Sequence, residues 1–504
     1  MSKKIFIAIT LISFINLAGS IENQSKDGKN FILNQRESNE QYKNNVTNSS
    51  DNLILGYSNT IKETNYSFIV GDSHNLENNC DATVMGRLND VKKSNFSLVS
   101  GYQNIVSESE RSHVSGNTNN VSKSSGALVN GYGNNVLQSN YSQVNGYKNE
   151  VSESETSHVS GNRNNVSKSG GALVNGYRNN VLQSVYSLVN GYQNSVLQSN
   201  YSQVNGYKNK VTESEISHVS GNKNTVLSSN YALVNGLGNN VLQSNYSLVS
   251  GYKNKVTESE ISHVSGNKNT VLSSNYALVN GVGNNVSKSG YSFVNGSESV
   301  VSNSEYGVAL GYKAKVIDSS HSLAMGSWSE TRKVSGNGFL TNQSSSNVYS
   351  FSVGNGKNDE GKVVLRRIQG LADGKELDEA VTVAQLKVVD DKVNNIMSGV
   401  SNAVAMANLP QVMGDKKFNL AASYGYYGGS HAVAVGFSGT NDKQNFIYKL
   451  SGSVNNKGNL AFGIGAGVML GEVNNKDKKI ENLEKTNKEL LERVAKLEKL
   501  LSKW

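Results

Sequence analysis

Four histidines recur at matching places along this chain, and their spacing invites a reading as metal ligands. His113, His158, His218 and His263 each stand three residues before a glycine, and neighbours in the set are 45 or 60 residues apart. If a period of fifteen is one turn of a stacked fold, three or four turns separate them, about 14–19 Å at the usual strand spacing. A metal holds its nitrogens at about 2 Å, so one chain cannot gather them on an ion. A threefold assembly could bring three copies of one histidine together; the plainer expectation is a surface or interface histidine. The single cysteine, Cys80, excludes a disulfide framework and any multi-cysteine metal site. It is expected to be a small buried hydrophobe. A second recurrent set pairs an aromatic ring with a cation: Tyr147-Lys148, Tyr207-Lys208 and Tyr252-Lys253, each followed by an asparagine. These six are the candidate ligand contacts. No catalytic residue, cofactor or metal is expected. An active site needs a unique cluster in a groove, and near-identical repeats offer none. The Gly-Gly-x-Gly-x-Asp pattern of calcium-binding solenoids is also absent.

The element that positions these residues is a strict repeat. Glycine falls at 56, 71, 86, 101 and at every fifteenth residue to Gly326, nineteen glycines in one phase. Two residues before each stands Ile54, Ile69, Val84, Val99 and so on, with Ala309 and Ala324 closing the series, and five residues after comes Ile61, Leu76, Val91 or Val106. A period this short means a solenoid, in which stacking makes the core. In Ser97-Leu98-Val99-Ser100-Gly101, alternation puts Ser97 and Val99 on one strand face and Leu98 and Ser100 on the other. The glycine supplies a sharp corner. The asparagine three residues later (Asn104, Asn119, Asn134) is read as a residue that tolerates a left-handed turn. Nineteen coils would make a rod of roughly 90 Å. A longer period lies on top: 94–138, 139–183, 199–243 and 244–288 are copies of one 45-residue unit, with one extra coil at 184–198. Such duplication suits a spacer or a repeated surface better than a unique pocket.

The bulk composition agrees. Asn and Ser dominate, Gly is 49 of 504 and Pro is a single residue, a composition that would suggest disorder without the period. The net charge of +8 is spread over the chain and gives no nucleic-acid footprint. Lys3 and Lys4, the apolar run Ile5 to Leu17 and Ala18-Gly19-Ser20 form the three parts of a secretory signal, 1–20, and place the mature protein outside the cytoplasm. Residues 21–51 are polar and without a period, and are read as a loose lead-in.

After Gly326 the period fails. A polar connecting segment is expected over 330–380, including Arg366-Arg367-Ile368. Apolar residues then step by three and four at Val383, Leu386, Val393, Met397, Val400 and Val404, with the charged Asp390 in the seam. That is a coiled-coil pattern over 381–410, ended by Pro410. Beyond it the period becomes two in four runs: Phe418 to Tyr426, Val433 to Phe437, Phe446 to Leu450 and Leu460 to Leu470. Tilted strands of about ten residues with one apolar face cross a bilayer. Four strands cannot close, and an open edge is not tolerated in lipid. Three chains would give twelve strands and a lumen. The expected anchor is 411–471. The remaining residues, 472–504, repeat a heptad pattern from Ile480 to Trp504 with Asn487 as a polar core residue, a second coiled coil.

At this point the chain resembles a YadA-like trimeric autotransporter adhesin of a Gram-negative outer membrane. The glycine coils resemble the head repeats, though they run fifteen residues and carry Val where the family often has Ala. Arg366 to Leu386 resembles the neck, and Ala405-Met406-Ala407-Asn408-Leu409-Pro410-Gln411 with four strands resembles the anchor. The expected fold is mainly β: a parallel β-roll head of fifteen-residue coils over 52–329, a short coiled-coil stalk, a four-stranded share of a trimeric twelve-stranded transmembrane barrel and a C-terminal coiled coil. The resemblance implies a non-enzymatic homotrimer in the outer membrane. Its partners would be membrane lipid, the outer-membrane assembly machinery and a host-cell or extracellular-matrix ligand. It also implies an anchor that lets its own passenger out through the pore. The family normally ends at the last strand, so the segment after Gly471 is a departure and is expected on the periplasmic side. Two rival functions are a passive spacer or self-association module, and an enzymatic β-solenoid such as a polysaccharide lyase.

Overall fold

The computed structural model describes residues 30–33, 42–470 and 476–503. They form two units that divide after Arg366. The expected signal, 1–20, lies outside the described residues.

The first unit is a parallel β-solenoid. Each fifteen-residue coil carries a longer strand over the glycine, as in Leu98–Tyr102, and a shorter one after it, as in Ile105–Ser107. Neighbouring coils pair in register at an offset of fifteen, so Val99 lies on Val114 and Val106 on Val121. The two valine ladders are wholly buried and form one continuous core. The faces fall as alternation requires, with Ser97 and Val99 inside and Leu98 and Ser100 outside.

The corners are built differently from expectation. The left-handed backbone is not at the asparagine but at three other positions of the coil, as at Gln103 (φ 56°), Glu108 (φ 49°) and Arg111 (φ 54°). A left-handed non-glycine residue costs about 1–2 kcal/mol. Each of these corners offsets that cost by giving its N–H to the coil before, to Arg87 O, Lys92 O and Asn95 O. The asparagine after the glycine is instead a buried ladder residue. Asn104 sends Nδ2 to Asn89 Oδ1, Ser100 O and Gly116 O, and its Oδ1 receives the N–H and Nδ2 of Asn119. The glycine is required by close approach as much as by turning. A Cβ on Gly191 (φ +118°) would stand 2.1 Å from the carbonyl oxygen of Gly206.

The solenoid also begins earlier than the sequence suggested. Within the expected loose lead-in, Phe31–Leu33 pairs with Leu53–Leu55, and Asn45–Thr47 pairs with Thr60–Lys62. The first pairing has an offset of 22 rather than 15, which is why the period does not reveal it. The connector is likewise part of the unit. Phe351–Ser352 adds to Leu323–Ala324, and the Arg366 guanidinium donates to Ser327 O, Val353 O and Ser329 Oγ, closing the last coil. Cys80 is half-buried at a coil edge rather than in the core, with Sγ against Asp81.

One rung of the asparagine ladder is His74. It is 1% exposed; Nδ1 accepts the Asn89 N–H, so the proton sits on Nε2 and faces Val70 O. Burial pushes its imidazole below the usual histidine value, against smaller opposing pulls from the Val70 carbonyl and Asp72. The folded state therefore holds His74 neutral, while the unfolded chain takes up a proton below about 6.5. Stability of the first coils is present above that pH and falls as pH drops through it. Hydrogen exchange in residues 53–92, corrected for intrinsic rates, is expected to speed up as pH falls below that value. His74→Asn, which restores the common rung, removes the dependence.

The second unit has a helix, Val383–Ala407, opened by a Thr382–Gln385 capping box, and four antiparallel strands in sequence order. These are Phe418–Tyr427, Ser430–Thr440, Phe446–Asn455 and Leu460–Val468. A last helix spans Lys476–Leu501.

Candidate membrane anchor and ligand-facing corner

The four strands have two unlike faces. Leu420, Tyr424, Val433, Val435, Phe437, Leu450, Leu460, Phe462 and Ile464 point outward and are exposed. The opposite face is small and polar, with Ala432, Ala434, Ser451 and Ser453 buried. The helix lies against that face. It presents Ser398, Ser401, Asn402 and Ala405, a stripe at steps of three, one and three, rather than its apolar seam. Val383, Leu386 and Val393 of the seam stay exposed in the single chain. The fit tolerates no side chain at one point: a Cβ on Gly425 would lie 2.5 Å from both Ala405 N and Ser401 O.

Polar contacts fix the helix along its length. Near its middle, Asn455 Nδ2 donates to Ser398 O, Asn402 Nδ2 to Asn459 O, and Asn459 Nδ2 to Ser398 Oγ. At its C-terminal end Lys449 Nζ donates to Met406 O and Leu409 O. A cation there satisfies carbonyls that the last turn leaves open and opposes the negative end of the helix dipole. Met469 N–H bonds to Asn445 O and Gln444 Nε2 to Gly414 O, so the end of the last strand returns to the side where the first begins. Both outer strands leave an unpaired edge. No helix among the described residues is long and apolar enough to cross a membrane.

Residues 410–469 match the YadA-like membrane anchor domain. The first strand to the last falls inside that span. Two curated relatives are similar over part of the chain: autotransporter adhesin EhaG of Escherichia coli O157:H7, 30% identical over 20% of this chain, and autotransporter adhesin NhhA of Neisseria meningitidis serogroup B, 34% identical over 20% of it. The chain spans only 8% and 18% of the lengths of those relatives. Residues 410–469 are thus a YadA-like membrane anchor domain, in a mainly β chain with a parallel solenoid.

The candidate ligand residues lie on the solenoid, at the corner after the glycine. Tyr147, Tyr207 and Tyr252 are half-buried and the lysines beside them exposed. Each lysine folds over its own ring, with Nζ 5.1 Å from the Tyr147 centroid and 4.9 Å from those of Tyr207 and Tyr252. The Lys148 ammonium beside it holds the Tyr147 hydroxyl below the usual phenol range, and Lys253 does the same for Tyr252. The three pairs do not converge on one site. They stand three and four coils apart on a single corner. Sequence reasoning missed Arg163, Arg178 and Lys223 between them and Lys268 one coil beyond, which also follow an in-phase glycine by two residues. Reading only the residue two after each glycine would have found them.

The histidines face outward from the longer strand, between leucine or glutamine neighbours: His113 between Leu98 and Leu128, His218 between Gln203 and Leu233. Among the described residues no three metal-ligating side chains come together. A further corner, missed entirely, carries a stack of exposed rings in which Tyr276, Tyr291, Tyr306, His321 and Tyr349 follow one another at 4.6–4.8 Å between centroids.

Proposed function

We propose that the chain is a non-enzymatic trimeric autotransporter adhesin, in which a twelve-stranded outer-membrane anchor displays the solenoid as a surface head. The observation that carries this reading is the helix seated on the small-residue face of four strands whose other face is apolar. In lipid both open strand edges must be paired, and three copies close twelve strands around three helices. The exposed seam residues Val383, Leu386 and Val393 then become the contact between the helices. The head binds a host-cell or extracellular-matrix surface through many weak copies of one corner, along the rod and across three chains. The segment Lys476–Leu501 follows from the periplasmic side of the anchor and forms a second coiled coil that steadies the trimer.

The test is display and adhesion together. Cells making the protein are treated with a protease while intact, then assayed for attachment to matrix-coated surfaces. The reading expects the solenoid to be shaved while 410–469 stays protected, with attachment lost in parallel. Attachment unaffected by complete shaving would overturn the adhesive role. A spacer or self-association module instead predicts clumping without attachment.

A further inference from the structure

We propose that the corner two residues after the glycine is a binding stripe for a sulfated linear polysaccharide. The proposal rests on the surface-display reading and names the ligand of the same corner. Over nine successive coils, from Gly146 to Gly266, this position holds Lys148, Arg163, Arg178, Gln193, Lys208, Lys223, Gly238, Lys253 and Lys268. Seven of the nine are cations, and all seven are exposed. Each sits at a left-handed corner with φ between 51° and 58°. The corner N–H donates to the previous coil, Arg163 to Tyr147 O and Arg178 to Asn162 O. The cations therefore stack at the strand spacing of about 4.8 Å.

Stacked like charges are unfavourable in a sheet, and the solenoid avoids them elsewhere. Lys62 stands on Glu77, Lys168 on Glu153 and Lys313 on Glu298, each pair one coil apart. Along the stripe the opposite holds, as Lys148, Arg163 and Arg178 follow directly, then Lys208 and Lys223, then Lys253 and Lys268. Among the described residues none of the seven has a carboxylate within 4.0 Å. The arrangement costs stability in the free protein and is relieved by a repeating external anion. Three chains would give three such stripes, each running from Lys148 to Lys268.

The rings choose between classes of polyanion. Tyr132 stacks on Tyr147 at 5.4 Å, and Arg163 covers the other side of Tyr147 at 5.8 Å; Tyr177 stacks on Tyr192 at 5.1 Å with Arg178 beside it. Both faces of Tyr147 are thereby covered, and the Tyr177 hydroxyl accepts a hydrogen bond from Arg163 Nη1. Single-stranded nucleic acid needs open aromatic faces for its bases. A sulfated polysaccharide needs only a line of cations and hydroxyl partners, which the corner provides.

The experiment uses cells displaying the full chain and three fluorescent probes at physiological salt: dextran sulfate, unsulfated dextran and a single-stranded oligonucleotide. Lys148→Gln/Arg163→Gln/Arg178→Gln is compared with Lys123→Gln/Lys168→Gln/Lys288→Gln, which removes the same charge from another corner. Glutamine already occupies the tested corner at Gln103 and Gln193, so folding is kept, and surface display of each variant is measured with an antibody. The expected result is binding of dextran sulfate alone, weakened about tenfold in the stripe variant and within about twofold of normal in the control. Equal losses in both variants, equal uptake of unsulfated dextran, or tighter binding of the oligonucleotide would each overturn the proposal. Attachment of the same cells to matrix-coated surfaces is scored in parallel. If it persists without dextran sulfate binding, the ligand class is wrong and the adhesin reading stands.

Discussion

Replacing Gly425 by valine is expected to remove the protein from the cell surface almost completely. The reason is a contact of backbone with backbone. The nearest atoms to a Cβ there are Ala405 N and Ser401 O, both at 2.5 Å, and Ala405 Cα at 2.9 Å. None of these is the far end of a flexible side chain that could swing aside. The helix would have to shift by about an ångström, carrying Ser401, Asn402 and Ala405 away from their seats. Asn402, Asn455 and Asn459 would then lose the hydrogen bonds that fix the helix axially. Overpacking in a close-fitted interior commonly costs about 1–3 kcal/mol, and more where backbone must move. In a closed trimer the clash occurs three times. Surface antibody labelling and an unheated gel of outer membranes measure the outcome. Ala422→Val, on the same strand but facing outward, is expected to leave both near normal.

The second large effect is expected from Asn179→Leu in the middle of the solenoid. Asn179 Nδ2 donates to Asn164 Oδ1, Asn175 O and Gly191 O, while its Oδ1 receives the N–H and Nδ2 of Asn194. A leucine fills similar space but leaves the Asn194 N–H and the Gly191 carbonyl without partners in a buried site. Each such orphan costs about 1–3 kcal/mol, so the substitution removes roughly 2–6 kcal/mol. Coupling in a solenoid is between neighbours, so the damage is local. Limited proteolysis is expected to open a new cleavage within one or two coils of residue 179. The coils near Gly71 and Gly311 should keep their wild-type resistance. Uniform loss of resistance along the whole unit would show that the coils unfold together and that the ladder is not the local determinant.

Much of this architecture was legible because it is periodic. A repeat that puts Val99 on Val114 shows both the strand and its pairing at once, and alternation correctly put Ser97 and Val99 on one face, the one that is buried. The four anchor strands were legible for the same reason, since Leu420, Val433 and Phe462 alternate with small residues. What the sequence hid is where a residue type serves two purposes. Asparagine suits both a left-handed corner and a hydrogen-bonded ladder, and Asn104 performs the second while Gln103 takes the corner. The lead-in strand Phe31–Leu33 escaped because its offset breaks the period. The helix face that meets the strands was not singled out, because an apolar seam outweighs a small polar stripe in any pattern search, yet Ser398, Ser401 and Ala405 are the residues buried there. The stripe of cations was partly visible in Tyr147-Lys148 and its copies. Arg163 and Lys223 follow asparagine instead of tyrosine and so fell outside that motif.

The proposed assembly has three copies that supply four strands each. Electrophoresis of outer membranes in detergent without heating tests it most directly. With one chain at 54.2 kDa, three give about 160 kDa (3 × 54.2). The account predicts a band near that mass which collapses to the monomer only on harsh denaturation, and which disappears in Gly425→Val. A monomer that runs alike with and without heating, or a protein recovered in the medium and not in the membrane, would contradict it.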